Sequence, residues 1–326
     1  DKIKDIISKP NNIEYKFNTT QNKINYNFKI SQNYKNLAAS TQTTLEKIVN
    51  HLTNISVALT KCNNVCISGG VGLNCTANGK LLHNPLIKNL YIFPAANDAG
   101  TSAGAALYAS ALYDKNAKFS KLKNAYLGPK FNKNYIKNLL KEKKIKYKIL
   151  TNPQQEIARL LANNKIIGWF QGRMEIGPRA LGNRSILANP KPKNMWKKIN
   201  KLKEREMWRP LAPSIIQEHI NDYLDDAKLS PFMLKSFQVN KNKRLIIPAV
   251  VHIDHSTRPQ TVSQKTNKKL WGLINEFYKI TNIPLILNTS FNDRNEPIVC
   301  SPSDAIKTFF STPLDYLVLE NCLIEK

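Results

Sequence analysis

The residues best suited to chemistry gather in one stretch, 168–188. Three arginines, Arg173, Arg179 and Arg184, share it with Gly172, Gly177, Pro178 and Gly182. A planar guanidinium binds phosphate or carboxylate through two parallel hydrogen bonds. Glycines let backbone approach a ligand closely, and Pro178 stiffens the loop. Such a loop suits an oxyanion; a solvated basic loop is the plain alternative, because a glycine-rich loop alone is weak evidence. Downstream, Lys203, Arg205 and Arg209 end a basic segment, where cations also complement a helix dipole. Arg209 stands between Trp208 and Pro210, and those apolar neighbours lead us to expect it buried. Asn288, Ser290 and Asn292 offer amides and a hydroxyl after an apolar run, the chemistry of a ligand site or of an Asx/Ser turn. Upstream, Gly69-Gly70-Val71-Gly72-Leu73-Asn74 reads as a tight turn presenting N–H groups at a helix start, able to receive an anion or ribose hydroxyls. It lacks the third glycine of a dinucleotide fingerprint and the Ser/Thr of a Walker loop. Asp98 precedes a helix, so a capping role outweighs a metal ligand on spacing alone.

The positioning elements follow from periodicity. Ile166 to Phe170 reads as a buried strand entering the organising loop, and Ser185 to Ala188 as the strand leaving it. Leu45, Ile48, Val49, Leu52 and Ile55 recur at helical spacing within 39–59. Strands at 64–68 and 90–93, and helices from 75 to about 82 and from 101 to 113, give strand–helix–strand–helix, the grammar of an α/β sheet. Both intervening loops fall at strand carboxyl ends, where α/β folds place ligands. Alternation over 24–30 predicts one more strand. Residues 114–130 read as a linker. Beyond it, helices are expected at 132–142, 153–163, 194–204, 268–280 and 302–310, and strands at 145–150, 284–287 and 316–319.

The 326 residues leave room for about two domains. Hydrophobic content of 42% supports real cores. With 49 Lys+Arg against 23 Asp+Glu, the net charge is +26. The lysines are scattered and no nucleic-acid module is present, so nucleic acid is not the expected partner; a basic surface still attracts phosphorylated substrates. Five cysteines with no C-x-x-C pair fit free, mostly buried thiols in a reducing cytoplasm. No apolar run reaches transmembrane length and no signal-peptide core is visible, so no membrane partner is expected. The sequence opens on Asp1 without an initiator Met, and we expect it to start inside a longer protein.

The run 172–188, Gly-Arg-Met-Glu-Ile-Gly-Pro-Arg-Ala-Leu-Gly-Asn-Arg-Ser-Ile-Leu-Ala, resembles the signature of the NodU/CmcH-type carbamoyltransferase family. Leu45-Glu46, Gly69 to Cys75, Ala96-Asn97-Asp98-Ala99-Gly100, the string from Lys203 to Pro213, Pro248 to Val262, and Asn288 to Asn292 with Glu296 to Val299 resemble further family motifs, in family order. The resemblance runs from about residue 39 to the end. It implies an α/β architecture: a partial actin-like ATPase-type domain (1–115), a linker (116–130), and a YrdC-like domain with a twisted mixed sheet (131–326). His255 replaces a family glycine, so that turn is expected to be altered.

The resemblance also implies the reaction. Carbamoyl phosphate and ATP give carbamoyl-adenylate in the carboxy-terminal domain, and the carbamoyl group then passes to a hydroxyl of a small-molecule acceptor. By family match, Arg179 and Arg209 serve carbamoyl phosphate or the adenylate phosphate, and Lys203 the ATP phosphates. Arg258, Asn288 and Ser290 serve the adenylate, with Gly69, Gly70 and Asn74 as the nucleotide turn of the first domain. Asp98 is the family's metal aspartate, for Fe²⁺ or another divalent ion, and Mg²⁺ would accompany ATP. Glu175 either helps with that Mg²⁺ or pairs outward with Arg179. The family's metal-binding histidines lie upstream of anything matched here, so the chain alone is expected to form or hydrolyse the adenylate and to transfer poorly, with the amino-terminal half missing. A tRNA-threonylcarbamoylation enzyme and an inactive remnant are the rival readings.

Overall fold

The computed structural model describes residues 17–18, 23–24, 31–119 and 122–326. The expected strand at 24–30 is met only at its start, where β1 (Phe17–Asn18) pairs antiparallel with β2 (Lys23–Ile24). Residues 25–30 lie outside the described residues.

The chain divides into two compact units, residues 1–65 with 83–88, and residues 66–82 with 89–326. The first holds α1 (Gln32–Thr60), which starts earlier than the apolar spacing predicted. It stops at Lys61, whose left-handed backbone (φ 55°) lets its N–H donate to the Val57 carbonyl. Asn84 donates its side-chain amide to Asn50 and Asn54, each at 2.7 Å, fixing the return segment to this helix. The predicted apolar stripe is not buried: Ile48, Leu52 and Ile55 are exposed, and α1 buries Glu46, Thr53 and Val57 instead.

The second unit contains an eight-stranded mixed sheet in the order β11-β8-β12-β7-β6-β13-β14-β5. Its strands are β5 (Lys148–Ile149), β6 (Ile167–Phe170), β7 (Arg184–Ala188), β8 (Ala212–Ile216), β11 (Gln260–Val262), β12 (Leu285–Ser290), β13 (Tyr316–Leu319) and β14 (Cys322–Glu325). The β11/β8 and β13/β6 pairs are parallel and the other ladders antiparallel. Every residue of β6, β7 and β8 is buried, because helices cover the sheet. Off this sheet, β3 (Asn64–Ile67) and β4 (Asn89–Ile92) form a two-stranded sheet, as do β9 (Phe237–Gln238) and β10 (Ser256–Thr257). The remaining helices of seven residues or more among the described residues are α2 (Cys75–Leu81), α3 (Thr101–Tyr113), α4 (Lys133–Glu142), α5 (Pro153–Ala162), α6 (Met195–Leu202), α7 (Lys268–Thr281) and α8 (Pro302–Ser311). α5 packs on α7, with Ile157, Ala158 and Leu161 on one and Leu270, Leu273, Ile274 and Phe277 on the other, the three-and-four spacing of a core-facing stripe. By contrast α3 buries no residue at all.

Two expectations change here. The segment read as a linker is stitched to the organising loop: Ile176 donates to the Ala125 carbonyl, Gly128 to Met174 and Met174 to Pro129, at 2.8–2.9 Å. All five cysteines are free as expected, but Cys62 and Cys66 are exposed and only Cys322 is fully buried.

Candidate active site

The loop between β6 and β7 has a closed side and an open side. On the closed side Glu175 turns inward. Its Oε1 accepts from the backbone N–H groups of Leu181 and Asn183 at 2.7 Å and of Arg184 at 3.3 Å. Burial pushes its carboxyl pKa up, and those N–H groups and the Arg184 charge pull it back. Glu175 therefore makes no outward pair with Arg179. It is the staple that shapes the loop. Arg184 is fully buried. It donates to the carbonyls of Gln171 (2.6 Å), Asn183 (3.1 Å), Pro129 (3.3 Å) and Gly172 (3.3 Å), and its guanidinium lies 3.6 Å from the Phe170 ring centroid. Arg173 is exposed and donates to the Leu127 carbonyl. Two of the loop's three arginines thus hold backbone.

Arg179 is the third. Its Nη2 makes one long bond, 3.5 Å, to the Leu73 carbonyl, and its Nε is buried without a partner. Burial first, then the neighbouring Arg258, brings its pKa down to about 10. Its approach to residues 73–75 is fixed by backbone. Gly177 has φ 90°, and a Cβ there would stand 2.4 Å from the Pro94 carbonyl oxygen, so only glycine permits this contact. The glycine turn is tied in by the Gly69 N–H donating to Ala96 at 2.8 Å, and by Asn78 donating to the Gly72 and Leu234 carbonyls at 2.8 Å each. Within the expected nucleotide turn, the Gly69 N–H is already used by the fold. Asn74 caps α2, its Oδ1 accepting from the Ala77 N–H at 3.0 Å. Gly70 borders open space.

Across from the loop stand the other cations. Arg258 lies close enough to lower the pKa of both Arg179 and Arg205, and its own falls through burial. Arg205 is lowered to about 10 by burial and then by Arg209; its Nε donates to Asn200 at 2.5 Å, and one Nη is buried without a partner. Lys203 is buried, and its ammonium donates to the Ser290 carbonyl (2.6 Å), Ser290 Oγ (3.0 Å) and Asn292 Oδ1 (2.6 Å). Burial, then the Arg205 charge, brings its pKa down to about 7. Arg209 does not follow expectation. It is exposed, paired to Glu206 at 2.6 Å, and Trp208 is 66% exposed. The Arg209 charge lowers the Arg205 pKa, and its carbonyl accepts from Asn200, the residue that holds the Arg205 Nε. Apolar neighbours in sequence gave no cover because they too face solvent.

Asn288 is buried on β12, two residues before Ser290 and so on the same sheet face. Its Nδ2 donates to Ser214 Oγ at 2.8 Å and Gln260 Oε1 at 3.2 Å, and its Oδ1 has no partner. Arg205, Asn292 and Gln260 are the site residues that sequence reasoning left out of its roles. The Lys-x-Arg spacing and the Asn-x-Ser-x-Asn alternation single out the first two without giving them a role, and Gln260 lies in the Pro248–Val262 string with none assigned to it.

Asp98 is exposed in the first turn after Asn97 and makes no capping bond to that turn. Among the described residues no group of three His, Cys, Asp or Glu side chains could hold a metal ion. One exposed carboxylate does not build the divalent-metal centre that the resemblance implies, and no step proposed for this chain runs through a metal.

Comparison with known proteins places this geometry in a family. The family described as Carbamoyltransferase C-terminus matches residues 158–326, and Carbamoyltransferase N-terminus matches residues 8–107. The chain belongs to the carbamoyltransferase family. The nodulation protein NolO of Bradyrhizobium diazoefficiens is 41% identical over 91% of this chain and 55% of its own length. The nodulation protein NolNO of Sinorhizobium fredii is 40% identical over 91% of this chain and 45% of its own. The uncharacterized protein sll1178 of Synechocystis is 39% identical over 91% and 53%. The chain spans about half the length of the curated relatives it matches. Among solved structures, full-length HypF in its phosphate- and nucleotide-bound form superposes with a TM-score of 0.39 at 15% identity, over 56% of this chain and 23% of that one. Sua5 of P. abyssi in complex with L-threonine gives 0.34 at 13% identity, over 48% and 44%. No helix among the described residues is long and apolar enough to cross a membrane.

Proposed function

We propose that this chain carries the activating half of an ATP-dependent O-carbamoyltransferase. Carbamoyl phosphate, ATP and one water give carbamoyl-adenylate, pyrophosphate and phosphate; the carbamoyl group then passes to a hydroxyl of a small-molecule acceptor. The observation that carries the reading is the cluster around Arg258. Arg179 and Arg205 both feel its charge, Lys203 feels that of Arg205, and among the described residues Glu206, Asp293 and the Cys75 thiol partly offset them. Like charges gathered in a partly buried place cost free energy unless an anion joins them. Two polyanionic reagents supply that compensation, and fixed cations stabilise the charge developing on the transferring oxygens.

In this reading Arg179 and Arg258 hold the carbamoyl phosphate and then the adenylate phosphate. Lys203, kept in place by Ser290 and Asn292, meets the ATP phosphates beside Arg205. Arg209, exposed, steers anions inward. Gly70 and Asn74 border the incoming nucleotide of an actin-like first domain (1–115), joined through 116–130 to the YrdC-like domain (131–326). The test measures pyrophosphate and AMP release alongside carbamoylated product. Pyrophosphate release that requires carbamoyl phosphate is expected, with little transfer to alcohols. No carbamoyl-phosphate-dependent pyrophosphate, or efficient O-transfer by this chain alone, overturns the reading.

A further inference from the structure

The turn that leads into Arg258 holds a histidine to which the activating reaction gives no part. His252 is half-buried. Its main-chain N–H donates to the Ser256 carbonyl at 2.8 Å and closes the turn 252–256, two residues before Arg258. Asp254 is the fixed point of this turn. Its Oδ1 accepts from the Ser256 N–H at 3.0 Å and from the Ser256 hydroxyl at 2.7 Å. Burial pushes this carboxyl up, but the two Ser256 bonds and then His252 hold it below the usual carboxylate range. It is therefore ionised and can only accept. The single Ser256 hydroxyl proton is spent on Asp254. His252 Nδ1 lies 3.2 Å from the same hydroxyl oxygen and must be the donor of that pair. The Leu211 main chain also bonds the ring and favours its charged form, as a carbonyl does by accepting a ring N–H. A neutral imidazole has one N–H to give, and these two acceptors ask for two. Burial above all lowers the pKa of the ring, with Asp254 opposing and Arg258 adding to the effect. Those two are the charged side chains that act on it among the described residues.

We propose that His252 is a positioning residue that answers oxyanion binding at Arg258 by taking up a proton on its ring. The proposal rests on the anion-binding part given to Arg258 above. Without an anion, a protonated ring faces Arg258 as a second cation. A bound oxyanion cancels that repulsion and adds an attraction of its own, and both acceptors around the ring then receive an N–H. The charged ring, tied through Ser256 to Asp254, holds the turn closed and puts a further positive charge behind the guanidinium. The coupling is reciprocal: the proton strengthens anion binding by the factor by which the anion strengthens proton binding. The sign follows. The ring's pKa is higher with the anion than without it, so a proton is taken up between the two values and none below or above them. Anion affinity falls as pH rises through that window and then levels off.

An NMR titration of the histidine rings of the whole chain, with and without sulfate, tests this; sulfate is an oxyanion with no proton of its own to exchange near neutral pH. His252→Gln identifies the resonance among the five histidines. Sulfate should raise the His252 midpoint by about one unit. Lys203 titrates at about 7 as well, so the proton is counted at the imidazole. Calorimetry with sulfate adds a second reading. His252→Gln should match the wild type near about pH 8, where the ring is neutral, and bind up to about tenfold more weakly near about pH 5. Equal weakening at both pH values marks a merely structural histidine and overturns the proposal. A midpoint that sulfate leaves unmoved overturns it too, whether or not the variant folds. Failure of sulfate and carbamoyl phosphate alike to bind removes the anion site and the reaction proposed for it, whereas sulfate binding without a shift removes the His252 role alone.

Discussion

Arg184 and Arg179 lie in the same loop and have the same side chain, yet they serve opposite ends. Arg184 is fully buried, and its four bonds go to main-chain carbonyls. Arg179 is half-buried, has one long bond and an unpartnered Nε, and faces another guanidinium. The first also leaves its Nε without a partner, but both of its Nη groups are filled by main-chain carbonyls, and it therefore holds structure. The second is incomplete in a consistent sense, lacking negative charge and donors' partners, and it asks for a ligand. A buried polar group with all its partners rigidifies a fold, whereas one without them is a cost that something must offset.

The sharpest way to break this contrast is to cut one residue from each side. Glu175→Ala strands the backbone N–H groups of Leu181, Asn183 and Arg184. At about 1–3 kcal/mol for each buried unmet group, a loss of about 3–5 kcal/mol is expected. Arg179→Ala removes a cation repelled by Arg258 and should leave stability unchanged or raised, while turnover falls by about 10²–10³. Thermal unfolding and pyrophosphate release, measured on both variants, check this. If Arg179→Ala unfolds the protein as readily as Glu175→Ala does, the division between structural and functional arginines is wrong.

These two arginines also mark what could be read in advance. Helices, strands and the organising loop were legible because apolar spacing and glycine chemistry are local. Arg179, Lys203, Arg258, Asn288 and Ser290 stand out through motif strings, and the ligand roles given to them are proposals. The inward turn of Glu175 was not, because its partners are backbone N–H groups that carry no side-chain signal. Arg209 was misplaced because Trp208 and Pro210 are neighbours along the chain without being cover in space. The period of α1 gave the helix but not the burial of its stripe; period shows that a helix has an apolar face, and not what covers it.

The second test sharpens the ligand-seeking side. Burial, then Arg205, holds the Lys203 ammonium at about 7 rather than its usual 10.5. Its three contacts accept hydrogen bonds, and triphosphate would add negative charge, so binding should return the pKa toward its ordinary value. The sign follows. Near pH 8 the free lysine is mostly neutral and the bound one charged, so nucleotide binding takes up about one proton, and affinity falls as pH rises above 7. Below about pH 6 both states are charged and the uptake vanishes. Calorimetry in two buffers of different ionisation enthalpy reads this directly. Uptake that is absent at pH 8, or that persists in Lys203→Met, separates the lysine from the triphosphate.

The smallest expected effect concerns a cost that lies outside the site. His255, where the family carries glycine, was expected to alter its turn. In this chain His255 takes φ 64°, a left-handed backbone that glycine adopts freely; its N–H donates to His252 at 3.0 Å, and its carbonyl accepts from Val239 at 2.9 Å. A non-glycine residue in the left-handed region is strained, and His255 is exposed, so its side chain returns little. His255→Gly relieves the strain but gives the unfolded chain more freedom, leaving a net gain of about 0.5–1 kcal/mol. His255→Ala, which keeps the Cβ, should gain nothing. Carbamoyl phosphate binding should be the same in all three proteins, because this cost is purely conformational and no ligand offsets it. A change in binding with His255→Gly would move the turn from the scaffold into the site, and strain here would have to be counted with the unmet groups of Arg179 and Asn288.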